Sequence, residues 1–201
     1  MNDLQLNLAA LVKSTRLAGP GVRDLIWVQG CRIGCPGCAN AAYQPHEPRV
    51  SMPVSRLLAH FRARRGRIDG CTISGGEPSE QAPAVASLLQ GVQALGLSTV
   101  LYSGRSLREL DCSIAGMKLL RNTDLLIDGP YIADKPSTHP WIGSSNQRMH
   151  LLSTRFSAAD LAAPKTSVEL ILRPGALTSI GKARFPHGKD PGLTSRPGTT
   201  R

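Results

Sequence analysis

Three cysteines stand close together in the stretch "QGCRIGCPGC", residues 29–38. Cys31, Cys35 and Cys38 have the spacing C-x3-C-x2-C, and each directly follows a glycine. Because glycine adopts positive φ angles, we expect a wrapped loop whose backbone amides point at the sulfur atoms or at a bound anion. Iron–sulfur clusters normally take four thiolates, so a [4Fe–4S] cluster bound by three leaves one iron open. An open coordination position is typical of a catalytic metal rather than a structural one.

Two other uses of these thiols are less consistent with the sequence. A structural zinc ion needs a fourth ligand, which His46, Cys71 or Cys112 could supply, but one tight loop lacks the paired spacing of zinc modules. A disulfide is disfavoured by the odd number of cysteines and by a reducing compartment. Cys71 lies in a strand pattern and Cys112 in a helical pattern, so we predict both as small core residues.

The composition predicts a globular protein that works in the cytoplasm. The chain has 201 residues, 41% of them hydrophobic and 19% charged, enough for one domain with a buried core. No apolar run approaches the roughly 20 residues that span a bilayer, and the first residues do not resemble a secretion signal. The net charge is +10, but only 4% of residues are aromatic and none interleave with the arginines of "FRARRGR". We therefore expect neither membrane nor nucleic-acid binding.

Short apolar segments alternate with helical patterns, which predicts an α/β fold with a parallel sheet, either doubly wound or a partial (β/α) barrel. The predicted strands are 23–29, 69–74, 97–103 and 123–128, and the predicted helices are 53–65, 79–95 and one that opens at Ser106 with Glu109 in a capping box. The cysteine loop, "SGGEP", "YSGR" and "DGP" follow the four strands in turn. Functional residues gather at the carboxyl ends of parallel strands, so we expect one site there.

The remainder of the chain is predicted to be less regular. Residues 129–165 lack a clear period, and so long a loop in a compact domain is usually a lid or a binding surface. Residues 167–185 predict a β-hairpin around Pro174 and Gly175. We assign residues 1–185 to a single domain and 186–201 to a disordered basic tail, because the tail has almost nothing apolar to bury.

The order of these motifs resembles the radical S-adenosylmethionine (SAM) superfamily. Within it, "GPGVRDLIWVQGCRIGCPGCAN", "TISGGEPSEQ", "DGPYIAD" and "WIGSSNQR" are similar to the activating enzymes of anaerobic ribonucleotide reductase, from about residue 18 to 186. Many superfamily members have an aromatic residue near the adenine where this chain has Gly37, and glycine there is usual in the reductase activators. The familiar "WRGS" reads "WIGS" here, with Ile142 in place of a cation.

The resemblance implies two cofactors and the residues that bind them. A [4Fe–4S] cluster would be bound by Cys31, Cys35 and Cys38, and SAM would chelate the remaining iron through its amino and carboxylate groups. The residues implied in or near the SAM pocket are Gly37, Gly75, Gly76, Glu77, Tyr102 and Ser103. Glu77 would accept a hydrogen bond from the ammonium group of SAM. Asp128 and residues 144–147 would face the same edge, and Arg23 is expected to be a surface cation.

The resemblance also implies a reaction and its partners. One electron, from a flavodoxin or ferredoxin-type donor, would reach the cluster and cleave SAM to methionine and a 5′-deoxyadenosyl radical. That radical would abstract hydrogen from a glycine of a partner such as anaerobic ribonucleotide reductase, so the protein would be an oxidoreductase that activates a glycyl-radical enzyme. An alternative is a radical SAM enzyme that acts on a small molecule or a peptide. A non-catalytic iron–sulfur or zinc module is the third possibility.

Overall fold

The structure is a computed structural model that describes residues 3–162, 168–173 and 176–181, and its centre is a seven-stranded sheet. The strands of this sheet are β1 Gln5–Thr15, β2 Arg23–Val28, β3 Val50–Pro53, β4 Gly70–Gly75, β5 Ser98–Ser103, β6 Leu125–Asp128 and β7 Arg148–Leu151. They lie in the order β3-β1-β2-β4-β5-β6-β7. The neighbours β2, β4, β5 and β6 pair in parallel. The predicted α/β fold with a mostly parallel sheet is therefore confirmed, and a partial barrel stays a prediction.

Antiparallel strands flank the parallel centre on both sides. β1 pairs antiparallel with β2 and with β3, and β7 pairs antiparallel with β6. None of the three was predicted. β7 lies within residues 129–165, where its four residues are too few to show an alternation, and it forms a strand because β6 offers it a free edge.

Four α-helices lie between the strands in the described residues: α1 Val54–Ala63, α2 Ala82–Ala94, α3 Leu107–Asp111 and α4 Ile114–Arg121. The helix predicted over 79–95 is present as α2, but it is preceded by a 3-10 turn, Pro78–Gln81. The capping box predicted at Ser106 is also present, since Ser106 Oγ accepts from Glu109 N–H and the Glu109 carboxylate accepts from Ser106 N–H. In the described part of the chain, no helix is long and apolar enough to cross a bilayer.

Successive strand residues point to opposite faces of the sheet, and each face carries its own apolar layer. On the face beneath the helices, the fully buried side chains of Ile26, Ile73 and Leu101 belong to the same core as Leu88 of α2. Burial of each such side chain stabilises the fold by about 1.5–3 kcal/mol. The opposite face holds one apolar cluster around Trp27 and another that includes Trp141. The strands are thus held between apolar side chains on both faces, and the carboxyl ends of the parallel strands meet at one edge.

Arg23 corrects one expectation, because it is fully buried rather than a surface cation. Its guanidinium donates to Thr72 Oγ1, to the carbonyls of Pro20 and Cys71, and to both oxygens of Ser98 at 2.8–2.9 Å. Burial lowers the pKa of Arg23 to about 10, so the side chain still carries its charge at neutral pH. It joins the amino ends of the first three parallel strands, at the opposite end of β2 from the cysteines.

The two isolated cysteines differ. Cys71 is fully buried in β4, as predicted. Cys112 is exposed, which contradicts the prediction of a core residue, because α3 ends at Asp111 and leaves Cys112 as its C-terminal cap. The predicted hairpin is confirmed as β8 Val168–Arg173 paired antiparallel with β9 Ala176–Gly181. Its turn and residues 186–201 lie outside the described part of the chain.

Candidate functional site

The cysteine loop, residues 30–46, leaves the carboxyl end of β2 and carries three free, half-buried thiols. Gly30, Gly34 and Gly37 have φ angles of 100°, 63° and 70°, which confirms the expected wrapped loop. Asn40 N–H donates to Cys38 Sγ at 3.4 Å. Burial raises the pKa of the Cys31 thiol, and backbone N–H groups of Gly34 and Ile33 counteract this rise.

This donor set fits an iron–sulfur cluster. The ligand form of cysteine is the thiolate, and amides directed at sulfur stabilise its charge. Three thiols in one glycine-rich loop would bind three irons and leave the fourth open. In the part of the chain that the structure describes, no three His, Cys, Asp or Glu side chains are arranged to hold a single metal ion.

The neck of the cysteine loop, where its two ends meet, is closed by backbone hydrogen bonds. Gly30 N–H donates to Tyr43 O at 2.8 Å, and Cys31 N–H donates to Gln44 O at 2.9 Å. The side-chain amide of Gln29 adds a bond to Pro45 O at 2.6 Å. The first cysteine is therefore fixed to the returning chain.

The second loop, residues 75–77, is in direct backbone contact with this neck. Gly76 N–H donates to Val28 O, and Glu77 N–H donates to Gly30 O, both at 2.7 Å. A Cβ atom on Gly75, whose φ is +108°, would lie 2.4 Å from Val28 N, and one on Gly76 would lie 2.2 Å from Gly30 O. No side chain fits at either position, so two glycines are what allow the loops to touch.

The Glu77 carboxylate points into the protein, where only 1% of the residue is exposed. Its Oε1 accepts from Ser79 N–H at 3.0 Å and from Ser103 Oγ at 2.8 Å, and its Oε2 accepts from Gly104 N–H at 2.8 Å. Glu77 thus joins the second loop to the third loop, residues 103–105. The sequence predicts a Glu at this edge but does not show which way its side chain points.

Tyr102 and Ser103 lie on opposite faces of β5. Ser103 accepts a hydrogen bond from Arg105 N–H at 3.0 Å in addition to its bond with Glu77. Tyr102 packs beside the cluster that contains Trp141, and burial raises its pKa. The structure therefore brings Ser103, but not the Tyr102 side chain, into contact with Glu77.

The third loop and the fourth loop, which is the segment that follows β6 from residue 129, also reach the cysteine loop. A Cβ on Gly104 would lie 2.6 Å from Ile33 Cδ1, and one on Gly37 would lie 3.5 Å from the Ala133 Cβ. Ala133 belongs to the segment after β6. The four loops that follow the parallel strands thus meet around the cysteines, as the strand order predicts.

Asp128 and residues 144–147 support this arrangement from within. Asp128 accepts from Leu107 N–H at the start of α3 and from His150 Nε2 at 3.0 Å. Ser144 Oγ accepts from Ile132 N–H at 3.1 Å, and Gln147 Nε2 donates to the carbonyl of residue 129 at 2.9 Å. These side chains hold the fourth loop in shape.

Two residues of the site were not singled out from the sequence, Glu80 and Gln81. Glu80 Oε1 accepts from Arg32 N–H at 2.8 Å and Oε2 accepts from His46 Nε2 at 2.6 Å. The side-chain amide of Gln81 donates to Gln29 O at 3.0 Å. The available signal was the polar pair that ends "TISGGEPSEQ", but spacing alone does not show that this turn faces the cysteine loop.

Three thiols and four loops at one sheet edge are the arrangement expected of a protein that binds a single iron–sulfur cluster. The family described as "4Fe-4S single cluster domain" matches residues 17–150. The anaerobic ribonucleoside-triphosphate reductase-activating protein of Salmonella typhi is 31% identical over 142 residues, which cover 67% of this chain and 91% of that protein. The Escherichia coli K12 protein of the same name is 30% identical over the same shares. The chain therefore belongs to the family of these activating proteins.

Two further similarities are more distant. A pyruvate formate-lyase-activating enzyme of Staphylococcus epidermidis is 32% identical over 91 residues, covering 41% of this chain and 35% of that enzyme. The crystal structure of QueE from Escherichia coli has a TM-score of 0.43 and 16% identity, covering 50% of this chain and 52% of that one. Family membership makes the protein a radical SAM enzyme whose cofactors are a [4Fe–4S] cluster and SAM.

Proposed function

We propose that this enzyme generates a glycyl radical on a partner of the anaerobic ribonucleoside-triphosphate reductase type. When bound, the reduced cluster and SAM supply a 5′-deoxyadenosyl radical able to remove hydrogen from a glycine. The observation that carries the proposal is the contact of the second loop with the cysteine neck, at 2.7 Å between Glu77 N and Gly30 O. The match also covers 91% of the activating protein from Salmonella typhi. The contact and this coverage together support a site that binds both the cluster and SAM, as in an activating enzyme.

Each loop has a proposed role. Cys31, Cys35 and Cys38 would bind three irons of the cluster and leave the fourth iron open to SAM. The backbone of Gly75 and Gly76 borders the methionine end of SAM, because the absence of side chains gives a ligand access to the peptide groups.

The other residues proposed for the SAM pocket lie at different distances from SAM. The Glu77 carboxylate already accepts three hydrogen bonds from the protein, so we assign Glu77 and Ser103 to shaping the pocket from behind. Gly37 would border the pocket beside the fourth loop. Tyr102 would border it from the sheet face opposite to Ser103. The close approach of Gly37 to Ala133 supports this placement.

We also propose the wider setting of the enzyme. The four parallel strands lie side by side in chain order, as expected for a partial (β/α) barrel within one domain of residues 1–185. Free thiols suit a reducing cytoplasm. A net charge of +10 would favour encounter with an acidic flavodoxin or ferredoxin-type electron donor.

The test is anaerobic reconstitution followed by reduction with SAM, with and without a purified anaerobic ribonucleotide reductase. We expect methionine and 5′-deoxyadenosine to form, and an electron paramagnetic resonance doublet of a glycyl radical to appear on the reductase. Cys35→Ala should abolish both signals, whereas Cys71→Ala, the control in the β4 core, should retain them. SAM cleavage with no radical on the reductase would instead favour a small molecule or a peptide as substrate, and no cleavage would leave a non-catalytic module.

A further inference from the structure

We infer that Glu80 is the positioning residue of the iron–sulfur cluster, because one carboxylate fastens both ends of the cysteine loop. The inference rests on the proposed cluster site but not on the proposed reaction. Glu80 lies in the 3-10 turn directly after the second loop, and its side chain is only 10% exposed.

The two oxygens of Glu80 contact opposite sides of the loop. Oε1 accepts from the N–H of Arg32, the residue after the first cysteine, at 2.8 Å. Oε2 accepts from Nε2 of His46, on the returning chain, at 2.6 Å. Cys35 and Cys38 lie between these contact points, and Cys31 lies directly before the first of them. A movement of Glu80 would therefore change the distance between the two ends of the cysteine loop and so the positions of the cysteines.

His46 makes the second contact rigid as well as polar. A Cβ on Gly30 would lie only 3.0 Å from His46 Cδ2, so the imidazole packs directly on the neck. Second-shell partners of metal ligands orient them in this way and commonly alter metal affinity when removed.

Glu80 also places a negative charge near the thiols. Burial raises the pKa of Glu80, but hydrogen bonds from Arg32 N–H and from His46 outweigh it, so the carboxyl group stays ionised at neutral pH. This charge lies next to the first cysteine, since Glu80 Oε1 is 2.8 Å from the amide nitrogen of Arg32, the residue that directly follows Cys31. A fixed negative charge there disfavours the addition of an electron to the cluster. The charge of Glu80 therefore lowers the reduction potential of the cluster, an effect that is separate from positioning the loop.

The test compares iron retention and reduction potential in anaerobically reconstituted protein without SAM or partner. Glu80→Ala removes both contacts, and we expect its iron affinity to fall about 10- to 100-fold, measured by competition with a chelator. Glu80→Gln keeps a carbonyl acceptor for Arg32 N–H, and its amide N–H can donate to His46 Nε2 in the other imidazole tautomer, so both contacts are kept while the charge is removed. It should retain its iron and show a more positive reduction potential by spectroelectrochemistry.

The matched control is Glu109→Ala, which removes another carboxylate that accepts a backbone N–H, from Ser106, away from the cysteines. It should keep wild-type iron affinity and potential. If Glu80→Ala fails to fold, His46→Ala removes the contact on the returning chain and the packing on Gly30 but keeps the Arg32 contact, and it should still release iron faster than the control.

Wild-type iron affinity in folded Glu80→Ala or His46→Ala would overturn the inference, as would an unchanged potential in Glu80→Gln. Because neither measurement uses SAM cleavage or a glycyl radical, failure of the proposed reaction would leave both results unaffected. Failure of the inference would likewise leave the radical assay of wild-type protein unchanged.

Discussion

A methyl group on Gly76 should separate the second loop from the cysteine loop. In Gly76→Ala the new Cβ would lie 2.2 Å from Gly30 O, and ordinary contact begins only at 3.4 Å, so the two backbones must part by about 1.2 Å. That movement would lengthen the hydrogen bonds from Gly76 N–H to Val28 O and from Glu77 N–H to Gly30 O, both 2.7 Å. The second loop, whose backbone we propose to border SAM, would then move away from the cluster.

The cost can be estimated from these contacts. Two hydrogen bonds contribute about 0.5–1.5 kcal/mol each, and relief of the overlap costs about 1–3 kcal/mol. We therefore expect Gly76→Ala to lower the free energy of unfolding by about 2–6 kcal/mol, out of the roughly 5–15 kcal/mol typical of a domain. Urea unfolding of the iron-free protein measures this loss. SAM affinity of the iron-loaded protein should also fall, because the displaced loop borders SAM, and a loss of about 1.4 kcal/mol of binding free energy corresponds to a tenfold weaker affinity.

Gly96→Ala is the matched control. Gly96 follows the end of α2 with φ at +79°, but nothing lies within 4 Å of its added Cβ. This change should cost only about 1–2 kcal/mol of left-handed backbone strain and leave SAM affinity unchanged. Equal stability and equal SAM affinity in Gly76→Ala and wild type would refute the backbone contact on which the site depends.

Two further substitutions test the supports of the site. Ser103→Ala removes the donor to Glu77 Oε1 and the acceptor of Arg105 N–H. It should lower the free energy of unfolding by about 1–3 kcal/mol and weaken SAM binding, while the iron content is kept. A loss of iron would show that Ser103 supports the cluster and not only the SAM pocket. Arg23→Lys leaves buried acceptors unsatisfied at the amino end of β2, because lysine has three donors in place of five, and should cost at least about 1–3 kcal/mol in urea unfolding. SAM affinity and iron content should not change in Arg23→Lys, and a loss of either under native conditions would show that Arg23 acts at the cysteine edge.

The parallel strands were predictable because each is a short apolar run between turn residues, which is what a strand buried on both faces requires. β1 was not predicted because its alternation is short: Leu6 and Leu8 alternate with more exposed residues, but irregular pairing after Leu8 and after Val12 interrupts the pattern. Pairing decides β3 and β7, which have four residues each and carry no pattern of their own. Edge strands therefore depend on tertiary contacts that the sequence does not display.

The site was predictable at the level of loops but not of side-chain direction. Strand order alone places the cysteines beside Gly75 and Gly76, since parallel strands end at one edge. The direction of Glu77 depends on Ser103, which lies 26 residues further along the chain and presents its hydroxyl only after β5 has paired with β4. A motif records which residue types are present, whereas the partners of a buried carboxylate are a property of the assembled sheet.

The loops around the cysteines are joined mainly through backbone and small residues. Gly76 touches Gly30, Gly104 touches Ile33, and Gly37 approaches Ala133. Behind these contacts, the carboxylates of the second loop and its turn face inward and accept N–H groups, so they act on the cofactors by fixing peptide groups and by their field. Added side-chain volume at a contact should therefore impair SAM binding more than removal of a surface charge does. The geometry of this site is set by how closely backbones approach, and glycine is the residue that permits that approach.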